Sequence, residues 1–108
     1  MATSKRDSFG KAENDIARLA KALSHPARVN ILLETARRQT CTGSELQALI
    51  PLSQSTIAQH LKDLLKAGLL LVLTRGPKSV YAVNWPEFER HSDALTQFLE
   101  QLSSFEYR

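Results

Sequence analysis

The sequence predicts a mainly helical α+β fold in which a pair of short helices is followed by a two-stranded β-hairpin. Apolar residues recur at the three-to-four-residue spacing of amphipathic helices over most of the chain. In the middle of the chain, a proline and a serine separate two short helical segments, and two apolar runs of strand length then flank a Gly-Pro turn. A helix-turn-helix followed by a hairpin is a winged helix-turn-helix.

The length and composition indicate one compact domain. A chain of 108 residues, of which 43% are hydrophobic and 23% charged, has the composition of an ordinary globular protein with one core. We expect this domain over residues 12–108, preceded by a flexible arm at residues 1–11. No apolar run approaches the roughly 20 residues that cross a bilayer, and the N-terminus is polar. We therefore expect no membrane partner, no secretory signal and a cytoplasmic location.

Two helices are predicted in the first third of the chain. Apolar residues at helical spacing indicate the first, from about Ala12 to Leu23. Pro26 fits the first turn of the second, because that turn leaves its N–H groups unpaired, and the cap is then Ser24 or His25. This second helix is expected to end near Arg37.

The helix-turn-helix follows. Thr42 and Glu45 have the spacing of a capping box, which opens a short helix that Pro51 stops. The hydroxyl of Ser53 is placed to cap the next helix, which runs to about Lys66 and ends before Gly68. By its place in the motif, this is the helix that would contact DNA.

A β-hairpin and a long helix complete the chain. Residues 69–74 and 80–83 have the length and composition of strands, and the turn between them carries Arg75 and Lys78 at its tip. The last helix is expected from Trp85 to about Phe105.

The apolar stripe of the last helix is wide for so small a domain. We expect it to pack against a second copy of the chain, with the first helix helping; the alternative is that it packs on its own core. The predicted dimer interface consists of Ile16, Leu19, Leu95, Phe98, Leu99, Leu102 and Phe105.

The helix after Ser53 has two distinct faces. Its apolar residues are expected to face the core, and these are Ile57, Leu61, Leu64 and Leu65. Short polar side chains at its start suit hydrogen bonds to base edges, and these are Gln54, Ser55, Thr56 and Gln59. Four cations are placed to contact phosphates, and these are Lys62 and Lys66 on the helix with Arg75 and Lys78 on the wing. His60 lies at the edge of the apolar face, where a phosphate contact and a packing role are equally supported.

The charge distribution agrees with this arrangement without deciding it. The net charge is +4 over residues 1–40, +2 over residues 41–85 and −3 over residues 86–108. A polyanion that avoids the last helix would suit this distribution. A chance imbalance on a solvated surface fits it equally well.

Several segments together resemble a known family. They are residues 22–32 (Ala-Leu-Ser-His-Pro-Ala-Arg-Val-Asn-Ile-Leu), Glu45-Leu46, residues 52–61 (Leu-Ser-Gln-Ser-Thr-Ile-Ala-Gln-His-Leu), Ala67-Gly68-Leu69, Gly76 and Tyr81. Over residues 15–84 the chain resembles the ArsR/SmtB family of dimeric winged-helix repressors. The resemblance implies a homodimer built on the first and last helices, with recognition helices in the major groove and wings along the backbone. It also implies an imperfect palindromic operator in a promoter and relief of repression by a signal.

The metal sites of that family are not reproduced. Its Cys-x-Cys pair falls on Thr42 and Ser44, whose hard oxygen atoms do not replace thiolates for soft metals. Of its interfacial zinc motif, Glu89-Arg90-His91 resembles the first half, while the second half falls on Leu102 and Phe105. We therefore expect no metal and no cofactor. A small organic effector, a protein partner or no inducer at all remain open.

Other functions are compatible with parts of the sequence. Cys41 is the only cysteine, which excludes an internal disulfide or dithiol switch. It precedes a helix N-terminus, whose dipole favours a thiolate, so a repressor with a single-thiol redox response is an alternative. A winged-helix protein-interaction module without DNA binding is another. No motif joins Cys41 to any histidine, and we expect no enzyme.

Overall fold

A computed structural model describes residues 8–106 as five α-helices and a three-stranded antiparallel sheet. The helices are α1 (Lys11–Ala22), α2 (Pro26–Arg38), α3 (Gly43–Leu49), α4 (Gln54–Lys66) and α5 (Trp85–Ser104). The strands are β1 (Cys41–Thr42), β2 (Leu70–Thr74) and β3 (Val80–Val83). The mainly helical winged helix-turn-helix is thus confirmed. Most of the predicted N-terminal arm, residues 1–7, lies outside the described residues.

The ends of the helices follow from local chemistry. Pro26 occupies the first turn of α2 with His25 as its N-cap, while Ser24 Oγ donates to the Lys21 carbonyl at 2.6 Å instead of capping. The helix α3 begins with the predicted capping box: Glu45 N–H donates to Thr42 Oγ1 at 3.1 Å, and Thr42 N–H donates to Glu45 Oε1 at 2.9 Å. Gly68 follows α4 with φ of +82°, a conformation that glycine adopts without strain.

The sheet has one strand more than the predicted hairpin. Its order is β1–β3–β2, and Cys41 lies opposite Tyr81. A strand of two residues is too short to show an alternating pattern, so no sequence signal predicted it. The hairpin itself is irregular, because β2 bulges between Val72 and Thr74. Strand β1 therefore joins the segment before α3 to the first residues of β3, next to the wing turn.

The core lies where α2, α3 and α4 meet the sheet. Each helix contributes buried side chains, and the first residues of β2 close the layer. The buried apolar residues are Leu19, Ala22, Ile31, Cys41, Leu46, Ile50, Ile57, Leu61, Leu64, Leu69, Leu70 and Val83. The face of α4 that was predicted to be apolar is thus the buried one, with Leu65 partly buried at its edge.

The last helix packs on its own subunit over its first half. Arg90 donates to both carboxylate oxygens of Asp15 on α1, at 3.1 and 3.2 Å, and His91 Nδ1 lies 3.3 Å from the Asp15 carbonyl oxygen. His91 is 1% exposed and pairs with Glu87. Leu19 packs in the subunit's own core at 2% exposure, which removes it from the predicted dimer interface.

The second half of α5 has no such cover. Leu95 packs against the core, and Ile16 on α1 is half-buried. Beyond them, four large apolar side chains are between 38% and 76% exposed, namely Phe98, Leu99, Leu102 and Phe105. The subunit's own core thus covers the first half of α5 and leaves the apolar side chains of the second half exposed.

Candidate nucleic-acid interface

The outer face of α4 is polar and exposed from its first turn. Ser53 caps the helix, since its Oγ accepts from Thr56 N–H at 3.2 Å and donates to Thr56 Oγ1 at 2.8 Å. Gln54, Ser55 and Thr56 are all exposed in this turn. The oxygen of Thr56 accepts within the cap, and its own hydrogen is left for an outside acceptor. The start of α4 therefore presents short hydrogen-bonding groups on a fixed backbone.

The side chain of Gln59 is held by its own helix. Its Nε2 donates to Asp63 Oδ1 at 3.0 Å, one turn further along α4. Because the carboxylate accepts only, the amide nitrogen must face Asp63, and this sets the orientation of the whole amide. Gln59 is exposed, so its oxygen and remaining N–H are presented to solvent in a defined direction.

Asp63 is in turn held by α2. Arg28 donates to Asp63 Oδ2 at 2.6 Å, and the same guanidinium donates to the Lys21 carbonyl at 3.3 Å. The side chain of Arg28 is 11% exposed, which shields this ion pair from water. A chain of contacts thus runs from α2 through Asp63 to Gln59.

His60 lies at the same contact between α2 and α4. Its Nδ1 accepts from Arg28 Nε at 3.1 Å, and its ring lies against that of His25 with centroids 5.2 Å apart. Burial lowers the pKa of His60, and the charges of Arg28 and His25 lower it further, so the neutral ring is favoured. The structure gives His60 a packing role; a phosphate contact for it stays a prediction.

A groove of about 760 Å³ lies between the wing, α4 and the start of α3. Gln54, Ala58 and Lys62 line it from α4, and Lys78 with Ser79 line it from the wing. Two of the four predicted phosphate contacts, Lys62 and Lys78, are thus brought to one groove. Arg75 is exposed outside this lining, at the end of β2.

Lys66 lies elsewhere. It lines a second cleft, of about 560 Å³, between α1, α2 and α4. This cleft is a turn or more beyond Gln59 along α4, and no residue of the wing lines it. The predicted cations therefore flank the polar face of α4 at two separate places.

Cys41 does not have the surroundings that a redox response requires. It is 1% exposed within the core, and burial raises the pKa of its thiol, with the nearby Glu45 carboxylate adding to the effect. The expectation that the start of α3 favours a thiolate was wrong, because desolvation outweighs the helix dipole here.

Two residues of this surface had no role in the sequence-based prediction, Arg28 and Asp63. The Gln59–Asp63 contact has the i, i+4 spacing of helical neighbours and was accessible to pattern analysis. The Arg28–Asp63 pair spans 35 residues, and no local signal reports it. Among residues 8–106, no helix has the length and apolar character that a bilayer span requires.

Comparison with known proteins agrees with this geometry. A family model described as a helix-turn-helix domain matches residues 23–72. The transcriptional repressor PagR of Bacillus anthracis is 29% identical over 69% of this chain and 75% of its own length. The arsenical resistance operon repressor of Bacillus subtilis is 34% identical over 59% of this chain and 61% of its own.

The fold has a solved counterpart as well. An ArsR-like transcriptional regulator from Rhodococcus sp. RHA1 superposes with a TM-score of 0.71 at 26% identity, over 84% of this chain and 83% of the other. The matched segment includes α2, α3, α4 and the start of β2, which carry the buried core and the polar face of α4. The chain is a DNA-binding transcriptional regulator with a winged helix-turn-helix fold, and the proteins it is similar to are regulators, among them ArsR-like ones, rather than enzymes.

Proposed function

We propose that this regulator is a homodimeric repressor that binds a palindromic operator in a promoter, as a cytoplasmic protein. The observation that carries the proposal is the exposed polar face of α4, where Gln59 is held in one orientation by Asp63 and Arg28. A side chain fixed before binding loses less conformational entropy on contact and discriminates better among bases.

Two groups of residues on this surface make different contacts with DNA. Gln54, Ser55, Thr56 and Gln59 contact base edges in the major groove, which admits an α-helix. Lys62 and Lys78 hold the phosphate backbone from the groove beside the wing, and Arg75 and Lys66 do so from its two flanks. His60 packs between α2 and α4 and so supports the base-contacting face of α4. Any contact of His60 with the DNA backbone is made from the edge of the helix.

The second copy of the chain is proposed to cover the end of α5. Phe98, Leu99, Leu102 and Phe105 recur at helical spacing and remain exposed in the subunit, although the first half of the same helix is covered by α1. A two-fold interface places the same patch on both subunits, so an apolar stripe can pair with itself. Two α4 helices related in this way call for half-sites about one turn of DNA apart.

The effector is proposed to be neither a thiolate-bound metal nor an oxidant of Cys41. The positions of the family's thiolate pair hold Thr42 and Ser44, and the hydroxyl of Thr42 is committed to the cap of α3. Cys41 is enclosed by the core. An organic ligand, a protein partner and control by abundance alone remain as candidates.

The decisive experiment is selection of bound sequences from a random duplex pool by the intact protein. We expect a dyad-symmetric consensus and tighter binding to it than to random duplex by 10³-fold or more, the range of specific DNA-binding proteins. The variant Gln59→Ala is expected to lose preference at one base position of each half-site, while Leu33→Ala on α2 serves as a control. If the selection enriches no consensus and the protein binds partner proteins instead of DNA, specific repression is contradicted.

A further inference from the structure

The cleft between α1, α2 and α4 concentrates positive charge. Arg18 and Lys21 line it from α1, Arg28 from α2 and Lys66 from α4. Its acidic lining residue is Asp63, whose two oxygens are bound to Arg28 and Gln59. Arg28 and Asp63 offset one another, so the cleft keeps the charge of three cations.

Those three cations form no ion pair within 4.0 Å in the described part of the chain. The ion pairs among residues 8–106 are formed by other basic residues. Elsewhere on α1, α2 and α5, basic side chains are compensated, such as Lys11 and Arg90 by Asp15 and Arg38 by Glu34. Like charges that share a concave site repel one another, and an anion placed between them relieves this repulsion.

The volume and the donor types indicate which anion fits. A cleft of about 560 Å³ exceeds what a single chloride requires and is within the range of small-ligand sites. An arginine offers two parallel N–H donors, and lysines add mobile point charges, a combination that suits phosphate oxygens. Arg28 forms part of the wall while remaining bound to Asp63, so the ligand is left to Arg18, Lys21 and Lys66.

We propose that this cleft is a phosphate-binding site. The phosphate belongs either to the DNA backbone at the edge of a half-site or to a free phosphorylated compound. The first source rests on the proposed function: Lys66 shares the exposed face of α4 with Gln59, seven residues and about 10 Å further along the helix. In that case the footprint on DNA extends past α4 to the end of α1.

The test uses a double variant, Arg18→Gln with Lys21→Gln, because neither residue has a part in the proposed DNA contacts, and a charge-matched control, Arg37→Gln with Arg38→Gln at the far end of α2. All four side chains are exposed, and circular dichroism melting checks that both variants fold. Inorganic phosphate is titrated into each protein without DNA, and amide shifts are followed by NMR. The salt dependence of operator binding is then measured for each.

Each source predicts its own result. A free ligand predicts saturable phosphate shifts around the cleft in wild type and control, with affinity at least tenfold weaker in the double variant and an unchanged salt slope. A backbone phosphate predicts that the slope of log K against log salt falls by about 0.9 for each phosphate that the variant no longer neutralises. A change in both measurements means that DNA and free phosphate compete for the cleft.

Equal phosphate shifts and equal salt slopes in the wild type and the double variant would overturn the proposal. That outcome is separate from failure of the proposed repressor function. If the wild type selects no DNA consensus, the repressor function fails, and the phosphate titration still decides whether the cleft binds an anion.

Discussion

Two serines in the first turn of α4 have different tasks although they are two residues apart. Ser53 Oγ satisfies the Thr56 N–H, whereas Ser55 is exposed and serves no backbone group. We expect Ser53→Ala to lower the free energy of unfolding by about 1 kcal/mol, the usual cost of removing an N-cap. Ser55→Ala should leave it within about 0.5 kcal/mol of wild type, as for surface substitutions in general.

Urea unfolding of the two variants measures these free energies, and Ser53→Asp is the rescue control because aspartate also caps. Ser55→Ala is expected instead to weaken operator binding several-fold. Equal stability losses for both serines would mean that the cap does not stabilise α4 as described.

His60 makes stability depend on pH. Its pKa is lowered in the folded state by burial first and then by Arg28 and His25, while the unfolded value is about 6.5. The unfolded chain therefore binds the proton more readily, and the contribution of neutral His60 is present above pH 6.5 and lost as the pH falls through the folded pKa. Asn is a suitable replacement because its amide oxygen can accept from Arg28 in place of Nδ1.

We expect the free energy of unfolding to decrease between pH 7.5 and pH 5.5 in wild type, and to decrease less in His60→Asn. Denaturant midpoints across this range provide the measurement. Identical pH profiles for the two proteins would show that His60 is not the group that titrates.

At the scale of elements, the end of α2 contains a strained residue. Gln39 follows the helix with φ of +73° and ψ of −44°, a conformation that side chains other than hydrogen disfavour. Gln39→Gly is expected to raise stability by roughly 0.5–1 kcal/mol, because relief of strain exceeds the added flexibility of the unfolded chain. Thermal melting checks this, and a lower melting temperature would contradict it.

The wing is expected to supply affinity rather than selectivity. Replacing Arg75 and Lys78 together by glutamine removes up to two phosphate-binding cations, so the salt slope should fall by about 0.9 for each. The selected consensus should stay the same, since phosphates carry no sequence information directly. A changed consensus in the variant would instead make the wing a reader of bases.

Some features of these elements were predictable from the sequence and others were not. The two faces of α4 were predictable, because periodicity and a capping serine are local signals that the core then confirms at Ile57 and Leu61. Strand β1 was not, because two residues show no period. The support of Gln59 by Arg28 depends on packing between residues far apart in the chain, and so does the burial of His91 by α1. The DNA contacts themselves remain predictions.

At the scale of the whole molecule, the subunit is less compact than its length suggests. Its radius of gyration is 16.1 Å, compared with about 13 Å for a globular domain of this length. The apolar residues at the end of α5 also have no cover within the subunit. A second copy would supply the missing neighbour.

A charge in that stripe should therefore separate the subunits. Leu99→Glu is expected to yield a folded monomer that binds a two-half-site operator at least tenfold more weakly, because the second half-site no longer adds to the affinity. Leu33→Glu on α2, which starts from a similar exposure of 54% against 52%, is the matched control. Sedimentation velocity reports the state of each, and a dimeric Leu99→Glu protein would exclude this surface as the interface.

The ion pair between Arg28 and Asp63 has a consequence for retargeting the protein to other DNA sequences. Two kinds of position alternate along α4. Some hold the helix against the rest of the domain, such as Ile57, His60 and Asp63. Others face outward, such as Ser55 and Gln59. A foreign recognition helix grafted as a block would remove the partners of Arg28. Changes confined to the outward positions keep them. The DNA sequence preference can thus be changed by substituting outward-facing side chains one at a time, while the contacts that hold α4 in place stay unchanged.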